Sequence, residues 1–158
     1  MAKTRKIIND PVFGFLSIPD GVLFQILQHP YLQRLNRIRQ LGLSFFVYPG
    51  AMHSRFLHSL GAMHLMREAI GSLREKGVEI TDNEATASMA AILLHDVGHG
   101  PFSHVMEHTL VEGITHEEIS LMMMEKMRDE LAEQDRELLN LAIAIFKDEY
   151  PKHFLHQL

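Results

Sequence analysis

Apolar positions along the 158-residue chain recur mainly at helical spacing. Across 21–41, Leu23, Ile26, Leu27, Leu32, Leu35 and Ile38 follow the i, i+3, i+4 rhythm of one helix face. His29-Pro30 interrupts it, because proline lacks an amide hydrogen and its ring clashes with the preceding turn, so two short helices are predicted. Over 54–76, Leu57, Leu60, Ala69, Ile70 and Leu73 form a stripe that stops at Gly77, predicting one long helix. Two further helix starts are marked by capping boxes, Thr81 with Glu84 and Thr115 with Glu118, in which a hydroxyl and a carboxylate satisfy orphan amides. A last helix is predicted at 134–146. Ahead of them, 6–18 mixes β-branched residues with Asn9, Asp10, Pro11 and Gly14, the signature of a short extended arm or hairpin. The stretch 45–50 reads as a loop. Gly98-His99-Gly100-Pro101 breaks the chain, with Pro101 placed to open a short helix to 108. The predicted class is all-α, apart from the amino-terminal arm.

Composition narrows the chemistry. At 46% hydrophobic residues the chain is long enough for one domain with a real core. It has no run of ~20 apolar residues that would cross a bilayer and no apolar leader, so a cytoplasmic protein is expected. Zero cysteines exclude disulfides and thiolate metal sites, leaving imidazole and carboxylate as metal ligands. The net charge of -5 argues against a nucleic-acid surface, although Arg34, Arg37 and Arg39 form a local basic cluster. The ten methionines, three of them consecutive at 122–124, are expected to fill core and interface.

Histidine is the unusual residue: 11 in all, seven of them from His53 to His108. His95-Asp96 closes an apolar helix just before the glycines that release the backbone. At a fraying carboxy-terminal turn both side chains can converge on one ion. His58 supplies a third ligand if the helix it opens packs antiparallel to the next, as the short intervening loop predicts. Three nitrogen or oxygen ligands with open positions describe a catalytic rather than a structural site. Such a site lowers the pKa of bound water from ~15.7 to ~7, worth roughly 12 kcal/mol in hydroxide availability.

The strings HSRFLHSLG at 53–61 and HDVGHGPFSH at 95–104 closely resemble the paired motifs of the HD superfamily, specifically its deoxynucleoside triphosphate triphosphohydrolase branch. INDP at 8–11, QRL at 33–35, RQL at 39–41, YPGA at 48–51 and THE at 115–117 resemble the same branch, in its order and at similar spacing. The resemblance implies an HD-domain helical bundle that hydrolyses a dNTP, a nucleotide partner, to deoxynucleoside and intact triphosphate. It implies a divalent metal held by His58, His95 and Asp96; imidazole and carboxylate suit iron, zinc, manganese or nickel, with magnesium less natural beside two histidines. Arg55 matches an arginine near the substrate phosphates, a role that suits a planar cation with several donors. His99, His104 and His116 match active-site histidines, His116 being the one that protonates the leaving 5′ oxygen, with Glu107 orienting it. Gln40 and Leu41 match positions lining the sugar pocket. As the first residue of its helix, His116 feels the positive end of the helix dipole, which disfavours the imidazolium unless Glu117 or Glu107 offsets it.

The same resemblance places a fourth ligand, an aspartate, just beyond the segment like His153 to Leu158, and Asp129, Asp135 and Asp148 are not in the matching context. The chain is therefore expected to be the amino-terminal part, 1–158, of a single HD domain, binding metal weakly, turning over poorly and associating with further copies through an uncovered apolar face. Two other readings stay open: an HD phosphohydrolase of nucleoside monophosphates or cyclic nucleotides, and a noncatalytic nucleotide-sensing or assembly module.

Overall fold

The computed structural model describes residues 6–102 and 113–151. Two antiparallel strands, β1 (Lys6–Asp10) and β2 (Gly14–Ile18), form the predicted hairpin, paired Ile8 to Leu16 and Asp10 to Gly14. Its turn is closed by the Asp10 carboxylate, which accepts from the amides of Val12 at 2.8 Å and Phe13 at 2.9 Å, an Asx turn that glycine ends at a φ of 73°. Leu16 and Ile18 face the core, while Ile7 and Phe15 on the other face are exposed.

Six helices follow among the described residues: α1 (Val22–Gln28), α2 (Pro30–Gln33), α3 (Arg55–Glu75), α4 (Asp82–Leu94), α5 (His116–Glu130) and α6 (Glu133–Phe146). His29 separates α1 from α2 in extended conformation, and its Nδ1 accepts from the Tyr31 amide at 3.3 Å, with Pro30 in the first turn. The second helix is shorter than its periodicity predicts. After Gln33 the chain tightens into a 3-10 turn, Arg34–Arg37, and Ile38 is extended. Tertiary hydrogen bonds capture this segment: the Arg55 amide donates to the Ile38 carbonyl at 2.8 Å and the Gln40 amide to the His53 carbonyl at 3.1 Å. Leu35 and Ile38 are buried as expected, but a spacing of three serves a 3-10 turn as well as an α-helix. The expected loop at 45–50 begins in another 3-10 turn, Ser44–Phe46. Of the short helix expected to 108, Pro101 and Phe102 lie in a turn and the remainder, with His104 and Glu107, falls outside the described residues.

The long helix α3 is capped at Ser54 and released at Gly77, where φ is 86°. Its first turns meet the end of α4 and its last turns, through Ile70 and Leu73, pack on Ala85 near the start of α4, so the two run antiparallel. α4 is the central helix, packed by α3, α6 and α1. It is buried on nearly every side, and Ala85, Ala87, Ala90 and Ala91 let its neighbours approach closely. Both capping boxes form. In the first, Glu84 accepts from the Thr81 amide at 2.7 Å and from the Tyr150 hydroxyl at 2.7 Å. Thr81→Ala is expected to lower stability by about 1 kcal/mol in urea unfolding, the cost of a lost helix cap. No helix of the described residues is long and apolar enough to cross a membrane.

Candidate metal centre

The antiparallel packing of α3 on α4 brings His58, in the first turn of one helix, against His95-Asp96 at the end of the other. One ligand atom from each of His58, His95 and Asp96 lies within 4.8 Å of the others. The two imidazole Nε2 atoms are 3.3 Å apart, His95 Nε2 is 3.3 Å from Asp96 Oδ1, and His58 Nε2 is 3.9 Å from Asp96 Oδ2. His95 Nδ1 donates to the Ile92 carbonyl at 2.6 Å, since a carbonyl only accepts. That bond fixes the tautomer and leaves the Nε2 lone pair facing His58. Burial, then the neighbouring His95, pushes the His58 imidazole below its ordinary value. Burial alone would raise the Asp96 carboxyl. The hydrogen bond from His99 and the charges of His95 and Arg55 outweigh it and hold the group well below the usual carboxylate range.

Two imidazoles and one carboxylate fit a divalent ion. A tetrahedral ion with bonds of ~2.0–2.1 Å to nitrogen holds neighbouring ligands roughly 3.3 Å apart, which the two Nε2 atoms match. The arrangement leaves coordination positions for other groups, as a catalytic centre requires. Asp129, Asp135 and Asp148 stand elsewhere: Asp135 accepts from Gln25 at 3.0 Å, Asp129 from Arg128 at 2.9 Å, and Asp148 follows α6.

Other expected residues gather around the three. Arg55, 4% exposed at the start of α3, donates from Nη1 to Asp96 Oδ2 at 2.7 Å and stands 3.5 Å from Gln40 Oε1. Leu41 follows Gln40 and is 49% exposed. His99 is buried with Nε2 3.3 Å from Asp96 Oδ1, and its ring stacks on His116 at a centroid distance of 4.0 Å. His116 Nε2 meets Glu117 Oε1 at 3.0 Å, so an acid beside it in sequence offsets the helix dipole. The Glu117 carboxyl is held down by its own backbone amide and further by Thr115 and His116. Against His58 a cavity of about 240 Å³ opens between the hairpin turn and α3, lined by Pro11, Val12, Phe13, Leu57 and Gly61 among others.

Three contributors were not singled out from sequence. The amide of Gly98 donates to Ser120 Oγ at 2.8 Å, and that hydroxyl donates to the His95 carbonyl at 3.2 Å. A Cβ at Gly98 would overlap the His116 carbonyl oxygen and the Ser120 amide, so this glycine lets α5 dock directly on the turn after α4. Arg34, read as part of a basic cluster and of the QRL string at 33–35 but given no role, reaches the same turn from the α2 side. The glycine's motif carried a signal for tight packing and the QRL string at 33–35 marked Arg34 without a role; nothing local marks Ser120.

Residues 55–151 match the family model described as HD domain. The chain is 39% identical over 140 residues to the deoxynucleoside triphosphate triphosphohydrolase SAMHD1 of Bos taurus, covering 84% of this chain and 24% of that protein. It is likewise 39% identical over 132 residues to the Homo sapiens protein of the same name, covering 78% of this chain and 21% of that one. The chain thus spans about a quarter of the length of these curated relatives. A crystal structure of a phosphohydrolase from Bacteroides thetaiotaomicron superposes with a TM-score of 0.92 at 65% identity, over 98% of this chain and 38% of that one. With a helical bundle that sets two histidines and an aspartate at one end of an antiparallel helix pair, and a family match over most of its length, this chain belongs to the HD-domain family.

Proposed function

We propose that this cluster is the metal-binding part of a hydrolase site that cleaves a deoxynucleoside triphosphate at the α-phosphorus, water adding and deoxynucleoside and intact triphosphate leaving. The observation that carries the reading is the meeting of His58, His95 and Asp96 with Arg55, His99 and His116 at one end of the α3–α4 pair. The names of the curated relatives support the substrate class. The donor set suits iron, zinc, manganese or nickel, with magnesium less natural beside two histidines. When bound, a divalent ion supplies Lewis-acid polarisation of a phosphoryl oxygen and acidifies water at neutral pH.

The chain's own residues do the rest. Arg55, oriented by Asp96, sets a fixed cation where the anionic phosphates arrive. Gln40 and Leu41 border the sugar. His116 donates the proton to the leaving 5′ oxygen, Glu117 meets its Nε2, and the stacked His99 holds the ring. By the family resemblance Glu107 orients His116, and His104 is a further active-site histidine.

Product analysis with manganese and a panel of dNTPs is expected to give deoxynucleoside and triphosphate in equal amounts. Orthophosphate, pyrophosphate or activity confined to monophosphates or cyclic nucleotides would replace this reading with another HD phosphohydrolase. Nucleotide-dependent thermal stabilisation without any product would make the protein a binding module. His116→Gln is expected to lower kcat by ~10²–10⁴ while metal content stays unchanged, as befits a proton donor.

A further inference from the structure

Arg34 is a half-buried cation with no ion pair among the described residues. Its Nη1 donates to the His99 carbonyl at 2.9 Å, its Nη2 donates to the Val97 carbonyl, and Nη2 lies 3.7 Å from Met123 Sδ on α5. A guanidinium taken from water without a carboxylate is costly unless strong acceptors meet it. Here the acceptors close the turn after α4, at the negative end of that helix's dipole, where a cation is favoured.

The acceptors also define the task. The two carbonyls bracket Gly98, in the turn that carries the Asp96 carboxylate and the His99 ring. A planar fork bonded to both fixes the orientation of the intervening peptide planes, which a single point charge cannot do. The other holds act elsewhere: Arg55 grips the Asp96 side chain, and Ser120 bonds the Gly98 amide and the His95 carbonyl. Met123 brings the same guanidinium against α5, whose first residue is His116.

We propose that Arg34 is a positioning residue: by bridging the carbonyls of Val97 and His99 it sets the turn that aims Asp96 and His99 at the candidate centre. This rests on the metal-site reading above.

Arg34→Lys and Arg34→Met, with the exposed Arg37→Met as control, test it by two readouts. One is cobalt(II) titration followed by visible absorption. The other is the NMR shift of the histidine ring protons, because His99 and His116, stacked at 4.0 Å, shield each other whether or not metal is bound. Both Arg34 variants are expected to fold, to lose that mutual shielding, to change the cobalt band, and to bind cobalt ~10–100-fold more weakly, the usual effect of removing a group that orients a ligand. Arg37→Met is expected to match the wild type. Wild-type histidine shifts and wild-type cobalt binding in Arg34→Met would overturn the proposal, as would a drop in melting temperature with both readouts unmoved. Failure of both variants to fold even in the cold would overturn it too, since Arg34 would then serve the whole fold rather than the turn. If the wild type takes up no cobalt, the metal reading fails, and the histidine shifts still decide the role of Arg34.

Discussion

Gly98→Ala is expected to abolish metal binding and to destabilise the fold by more than ~3 kcal/mol, above the usual range for an inserted methyl because the groups in the way are backbone. The added Cβ would overlap the His116 carbonyl and the Ser120 amide and stand 2.7 Å from Ser120 Oγ. Backbone of an α-helix cannot swing aside like a side chain, so α5 must lift from the turn after α4. Lifting it breaks the Gly98 to Ser120 hydrogen bond and unstacks His116 from His99. Gly100 provides the comparison within the same motif. A Cβ there meets nothing within 4 Å among the described residues, so Gly100→Ala is expected to change stability by less than ~0.5 kcal/mol. Urea unfolding and cobalt titration of the two variants check this, and equal effects at the two glycines would refute the packing argument.

Arg55→Met is expected to cost ~3–5 kcal/mol in the metal-free protein, the effect of leaving one member of a buried ion pair uncompensated. Arg55 and Asp96 are 4% and 6% exposed, and the guanidinium is 2.7 Å from the carboxylate. A carboxyl held low contributes stability that is present above its unfolded pKa and is lost as pH falls through its folded one. Without Arg55 that folded value rises, so acid unfolding should begin at higher pH. A divalent ion would restore part of the missing positive charge. Added metal should therefore raise the melting temperature more in Arg55→Met than in the wild type, by mass action on the folded state. Calorimetry with and without manganese decides the point; an equal or smaller metal-dependent rise in the variant would mean that the pair is structural and separate from any metal site. The double variant Arg55→Met with Asp96→Asn should recover part of the loss, because it removes the stranded charge as well.

The bounds of α3 were legible because both ends are local events: a serine whose hydroxyl accepts the Leu57 amide at 3.3 Å, and a glycine able to take positive φ. The capping boxes were legible for the same reason. The buried face of α3 was read only in part. Leu60, Ile70 and Leu73 are buried, but Leu57 and Ala69 are half-buried while Phe56 and Met63 belong to the core. A helix covered by the hairpin on one side and α4 on another buries a wider face than one stripe predicts. The same blindness to partners lengthened α2, whose backbone is claimed by the start of α3.

Sequence alone determined the helical class, the hairpin, the caps and the residue types from which a metal site could be built, because each depends on neighbours a few positions away. Tertiary structure decided where those residues meet. His58 and His95 are 37 positions apart and come within 3.3 Å only because α3 and α4 bury their stripes on each other in antiparallel register. Arg34, Gly98 and Ser120 take their meaning from that packing. A guanidinium that finds two carbonyls more than 60 residues away, and a glycine small enough for another helix to rest on, leave no periodic trace in a sequence. The candidate ligands were legible from local motifs, and the scaffold that brings them together is written in contacts between distant parts of the chain.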